Sequence, residues 1–160
     1  MPTRVRKIAL PTNSLLHGYM SDDDFVDCFA APATISPRQA AEIIVAFPGW
    51  AQPLLKLRSL ITSPFGLSQD GPEAADKLGP FPVDQETEHE IIAGFDDKHL
   101  NFRVSVMCRD GRLSLATWVH PHNFGGRLYL ATILPFHILI ARNGVARAAA
   151  AQTPPLATAP

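Results

Sequence analysis

The spacing of hydrophobic and polar positions changes along the chain, and each change marks a predicted element. The first twenty residues have no clean period. In "DDDFVDCFAAPA" alternation sets in over 24–30, with Val26, Cys28 and Ala30 on one side and Phe25 and Phe29 on the other, which predicts a strand. "SPRQAAEIIVAF" then predicts a helix: Ser36 can cap, Pro37 suits the first helical position, and Ala41, Ile44 and Val45 form an apolar stripe. Pro48–Gly49 ends it. "WAQPLLKLRSLITSPFGL" predicts a second helix, since Trp50, Leu54, Leu57 and Leu60–Ile61 recur at helical spacing and Pro64 lies beyond. "SQDGPEAADKLG" is polar and turn-rich, a surface loop.

From Phe81 the period is two. "FPVDQET", "HEIIAGF", "HLNFRVSVMCR" and "RLSLATWVHPH" are four strands in sequence, and Asp110–Gly111 between the last two is a hairpin turn signal. A long helix is predicted from about 126 to 150. The chain therefore reads as α+β: an antiparallel sheet of about five strands packed on a long C-terminal helix, with two helices inserted after the first strand. A single domain is expected over 1–150. The remaining 151–160, "AQTPPLATAP", is a Pro- and Ala-rich tail expected to be disordered.

A two-residue turn at Asp110–Gly111 fixes the register of the last hairpin. Cys108 then faces Leu113, Val106 faces Leu115, Val104 faces Thr117 and Phe102 faces Val119, an unbroken apolar side. The reverse side carries Met107 with Ser114, Ser105 with Ala116, Arg103 with Trp118, Asn101 with His120, and His99 with His122. Arg103 over Trp118 is a cation–π candidate. Three imidazoles on one face suit zinc, so His99, His120 and His122 are the weak metal candidates. The plainer reading is a solvated face, because a sheet with one side on helices leaves the other wet. No metal and no cofactor is expected. Glu86, Glu88 and Glu90 read in the same way, as a solvated rim.

Composition bounds the function classes. Apolar residues are 46% and charged residues 18% of the 160, with 14 Lys and Arg against 15 Asp and Glu for a net charge of −1. That balance suits a globular protein and supplies no basic stripe for nucleic acid. The two cysteines sit in apolar stretches and read as buried thiols. The longest apolar run, 128–141, is shorter than the roughly 20 residues a bilayer span needs, and no signal-peptide core is visible at the N-terminus. The expectation is a cytoplasmic protein without a membrane span. Oligomeric state is left open.

"DDKHLNFRVSV", "HNFGGRLYL" and "PFHILI" carry a resemblance. Through Asp97, His99–Leu100, Phe102–Arg103, His122–Asn123, Gly126–Arg127, Tyr129 and Pro135–Phe136–His137, the chain resembles an uncharacterised bacterial family, domain of unknown function 2867, over most of 20–147. The resemblance implies no activity. Some members look like the C-terminal part of nucleotide-sugar-epimerase-type dehydrogenases, which implies a separately encoded dehydrogenase domain as a partner for this chain. The layout is also similar to helix-grip folds of the lipid-transfer type.

Three functions follow as expectations. The first is binding of a small apolar ligand between sheet and helix, by Phe95, Phe102, Val104, Thr117, Val119, Tyr129, Ile133 and His137. The second is an enzyme with His122 as base, Arg127 as anion clamp and Tyr129 as proton donor. The third is an interaction module for the dehydrogenase domain. Independently of these, His122–Asn123 and Arg127 are expected to latch the last strand to the long helix, with Arg127 reaching a protein acceptor or an anion.

Overall fold

The computed structural model describes residues 4–53, 56, 60 and 74–151. Among the described residues seven antiparallel strands form one sheet in the order β1-β2-β7-β6-β5-β4-β3. They are β1 (Arg6–Lys7), β2 (Phe25–Pro32), β3 (Lys77–Leu78), β4 (Phe81–Glu86), β5 (Glu90–Asp96), β6 (Leu100–Arg109) and β7 (Arg112–Pro121). Among the described residues, the helices α1 (Pro37–Val45) and α2 (Phe124–Ala150) pack with it. The fold class is α+β as expected, with seven strands rather than five. The two additions, β1 and β3, are two-residue edge strands, too short to display a period of two. Most of the helix expected over 50–63, much of the loop over 68–79 and nearly all of the tail lie outside the described residues. A 3-10 turn at Gly49–Ala51 leads into that region.

The hairpin register is the one the turn dictates. Arg109 pairs with Arg112, Val106 with Leu115 and Phe102 with Val119. Asp110 and Gly111 have φ of 54° and 73°, the left-handed pair that a two-residue turn between twisted strands requires. β2 adds on the other side of β7, Phe29 against Leu115 and Asp27 against Thr117. The side of the sheet bearing Phe29, Val106, Leu113 and Leu115 packs on α1 and the C-terminal half of α2 to form the main core.

Local chemistry explains both helices. The Ser36 hydroxyl accepts the Gln39 N–H at 3.2 Å, with Pro37 at the first helical position, and α1 buries Ala40, Ala41 and Ile44. At its C-terminus Arg147 of α2 donates to the carbonyls of Ile43 (2.8 Å) and Ala46 (3.0 Å), a cation where the helix dipole favours one. Gly144 permits the close crossing, since a methyl there would lie 3.2 Å from an Ile44 side-chain carbon. By length and composition α2 is long enough to cross a membrane, exceeding the 128–141 run; its most apolar window has mean hydropathy 1.4, and only 11% of it is buried.

The reverse side of the sheet departs from expectation. It is not a wet face near its centre. Residues 8–20 strap across it, and Ile8, Leu10, Leu15, Leu16, Tyr19 and Met20 pack on Cys28, Ile92, Ala116 and Trp118 as a second core. The strap is irregular apart from a 3-10 turn at Leu15–Gly18, so it leaves no periodic trace in the sequence. Beneath it Glu90 is 2% exposed, correcting its reading as a rim residue. Its carboxylate accepts from the Ser14 hydroxyl (2.6 Å), the Leu15 N–H (2.9 Å) and the Ser105 hydroxyl (2.5 Å). Burial, with the Asp27 charge adding for Cys28, pushes both cysteine thiols up to about 11.

Candidate functional site

The junction of β7 and α2 sets how the long helix crosses the sheet. Asn123 caps it, its side-chain oxygen accepting the Gly126 N–H at 2.9 Å, and the His99 ring lies 3.2 Å from the same oxygen. The His122 N–H donates to the His99 carbonyl at 2.9 Å. Gly126 seats directly on that carbonyl, where any Cβ would collide. From this anchorage Tyr129, Ile133 and His137 recur every fourth residue and share one stripe of the helix. Farther along α2, Ala141, Gly144 and Ala148 are buried, whereas Tyr129, Ile133 and His137 are only half-buried.

His137 reaches the sheet. Its Nε2 lies 2.9 Å from Oδ2 of Asp27, in the middle of β2. Asp27 has the parity of Phe25 and Phe29, the helix-facing parity, and is 5% exposed. The Phe25 ring meets the His137 ring edge-on, centroids 6.3 Å apart. The second Asp27 oxygen, Oδ1, is buried and accepts no hydrogen bond. A buried carboxylate oxygen in that state lacks the donor that burial ordinarily demands.

Around this pair lie the residues expected to line a ligand site. Phe102 stacks edge-on against Phe95 (4.8 Å) and Phe81 (5.5 Å). Phe95, Phe102 and Val104 are half-buried, and Thr117 and Val119 are buried beside them. Most of the exposed large apolar side chains also belong to α2: Phe124, Leu128, Phe136, Ile138 and Leu139.

The other candidates disperse. The His120 and His122 rings meet edge-on, centroids 5.7 Å apart, but the three imidazoles each turn a nitrogen to a separate partner, Asn123 for His99, Asp24 for His120 and Asp96 for His122. Among the described residues no three His, Cys, Asp or Glu side chains gather as a metal site. Nor do His122, Arg127 and Tyr129 share a cleft. His122 is held 2.6 Å from Asp96, and Arg127 and Tyr129, two apart on a helix, project to different sides. The Arg127 side chain is exposed and, among the described residues, makes no ion pair or hydrogen bond, so the latch consists of His99, His122, Asn123 and Gly126 without it. Arg103 lies 5.3 Å from the centre of the Tyr19 ring, which the strap inserts over this face.

Sequence reasoning missed Asp24 and Asp27. Asp24 immediately precedes β2; its carboxylate accepts the Trp118 indole N–H (2.8 Å) and the Ser21 N–H (2.7 Å) and holds Nδ1 of half-exposed His120 at 2.5 Å. Burial would raise its pKa, but the hydrogen bonds from His120, Ser21 and Trp118 together hold the carboxyl below its ordinary value. The signal for Asp27 was present: a charge at the core parity of an otherwise apolar strand. Every residue of the Asp24–His120, Asp27–His137 and Asp96–His122 pairs falls inside the region matched by one family model. The family model described as "Protein of unknown function (DUF2867)" matches residues 20–144. The chain belongs to that family. No curated protein and no solved structure gives a significant match to this DUF2867 member.

Proposed function

We propose that this DUF2867 protein binds a small apolar molecule between the sheet and the N-terminal half of α2. One observation carries the reading: on the helix-facing side of the sheet Phe95, Phe102 and Val104 are only half-buried, and so is the stripe Tyr129, Ile133 and His137 of the helix, which reaches the same side of the sheet at Asp27. The C-terminal half of α2 is by contrast buried in the main core, so the incomplete covering is confined to its N-terminal half. Such a site, apolar with one polar anchor, is the usual form of a small-molecule pocket. Ethylbenzene serves as a probe. In a ¹H–¹⁵N titration it should shift Phe102, Val104 and Ile133 while leaving Val145 in place. Absence of shifts at those three, together with no co-purified small molecule by native mass spectrometry, overturns the reading.

A second reading is favoured by the Asp24–His120 pair. A buried, ionised carboxylate holding Nδ1–H of a half-exposed imidazole leaves Nε2 as the proton acceptor, the arrangement of a general base. His120 takes the role first given to His122. The protein should then hydrolyse 4-nitrophenyl acetate faster than its His120→Gln variant; equal rates remove this reading.

A further inference from the structure

Asp27 carries an inference that rests on the apolar-ligand reading and deepens it. Its two carboxylate oxygens live differently. Oδ2 is committed to His137, and Oδ1, on the helix-facing side of β2, is buried and accepts nothing. The carboxylate is at the border between the closed core and the half-open end: Phe29, two residues on, is 1% exposed, whereas Phe25, two residues back, is half-buried against His137. Across the pairing, Asp27 meets Thr117, which in turn meets Val104 of the half-open sheet face. A purely packing position at this parity would be filled by an apolar side chain, as at Phe25, Phe29 and Ala31. An acid here, with one oxygen tied and one left open, has the form of a receptor for a donor.

We infer that the ligand of this cleft is an apolar body ending in one N–H or O–H donor, which hydrogen-bonds to Oδ1 of Asp27. His137 is a positioning residue for that carboxylate. It holds the carboxylate through Oδ2 and leaves Oδ1 without a partner, the acceptor that the donor of the ligand would use. The recognised class is thus arylalkyl or alkyl amines and alcohols, in preference to hydrocarbons of the same shape, because a hydrogen bond to a charged, desolvated acceptor discriminates strongly against a partner that cannot donate.

Three probes of matched shape test this: 2-phenylethylamine, 2-phenylethanol and ethylbenzene, with dissociation constants from ¹H–¹⁵N titration of the full chain. At least one donor-bearing probe should bind tighter than ethylbenzene by about tenfold or more, the factor that about 1.4 kcal/mol supplies. In Asp27→Leu the preference should vanish while ethylbenzene still binds. If that variant does not fold, Asp27→Asn, of the same shape, should lose most of the amine's advantage. Equal affinities for all three probes in the unmodified protein overturn the donor inference alone, since a resident water would then account for Oδ1. Failure of every probe to bind overturns the inference together with the apolar cleft on which it rests. A donor preference that survives in Asp27→Leu also overturns it, because the acceptor is then another group.

Discussion

Glu90 and Arg127 exchange the roles their sequence positions suggest. Glu90 sits among alternating charges yet is enclosed by the strap and fully hydrogen-bonded, whereas Arg127, in the first turn of α2, has an exposed side chain that meets no acceptor among the described residues. Glu90→Ala should therefore lower stability by about 3 kcal/mol or more, since it strands two hydroxyls and an N–H that bonded a charged group; chemical denaturation measures it, and a loss under about 1 kcal/mol would mean the strap holds without the carboxylate. Arg127→Leu should leave the melting temperature unchanged, a change within about 0.5 kcal/mol. Asp24 sets a pH dependence. Its folded pKa is depressed from the ordinary 3.8, so its stabilising contribution is in place above that value and is lost as pH falls through the lower folded one. Thermal melts should thus weaken below about pH 4, and less steeply in Asp24→Asn.

At the scale of elements, the sequence was legible wherever periodicity and turn chemistry agreed. Asp110–Gly111 fixed ten cross-strand pairs from Arg109↔Arg112 to Leu100↔Pro121, and the long helix begins within two residues of its expected start. Three things had no such trace: the two-residue edge strands, the aperiodic strap, and the pairing of Asp27 with His137, 110 positions apart. Binary patterning assigns a face to each residue but does not say which side chain from another element will meet it. The β7–α2 junction mixes the two cases. His122–Asn123 read as a latch between strand and helix, and the structure adds that Gly126 is needed for contact with the His99 carbonyl. Gly126→Ala would gain about 1 kcal/mol of helix propensity, yet the collision should outweigh it and leave the protein about 1–2 kcal/mol less stable. Gly18→Ala, where an added methyl meets nothing within 4 Å, is the control and should be close to neutral. A stabilised Gly126→Ala would mean that the helix start can shift to make room.

Over the whole molecule, α2 has two halves with different surroundings. From Ala141 to Ala149 it is clamped: Ala141, Val145, Ala148 and Ala149 are each at most 5% exposed, Gly144 crosses α1 closely, and Arg147 holds the end of α1. Before Ala141 only Gly126 is buried, Phe124 is 78% and Leu128 55% exposed, and Pro135 removes one backbone donor from the helical ladder. Local opening costs least where few apolar contacts must be broken, so the two halves should open separately. Amide hydrogen exchange should therefore be slow over 141–149, close to the rate set by global unfolding, and faster by at least about an order of magnitude over 130–138. A ligand gripped by Ile133 and His137 on the helix and Phe102 and Val104 on the sheet would join the loose half to the sheet, so saturating 2-phenylethanol should slow exchange over 130–138 and leave 141–149 as it was. Equal protection along α2 in the free protein would mean that the half-open end is as firmly held as the core, and a site entered by opening that end would then have no way in.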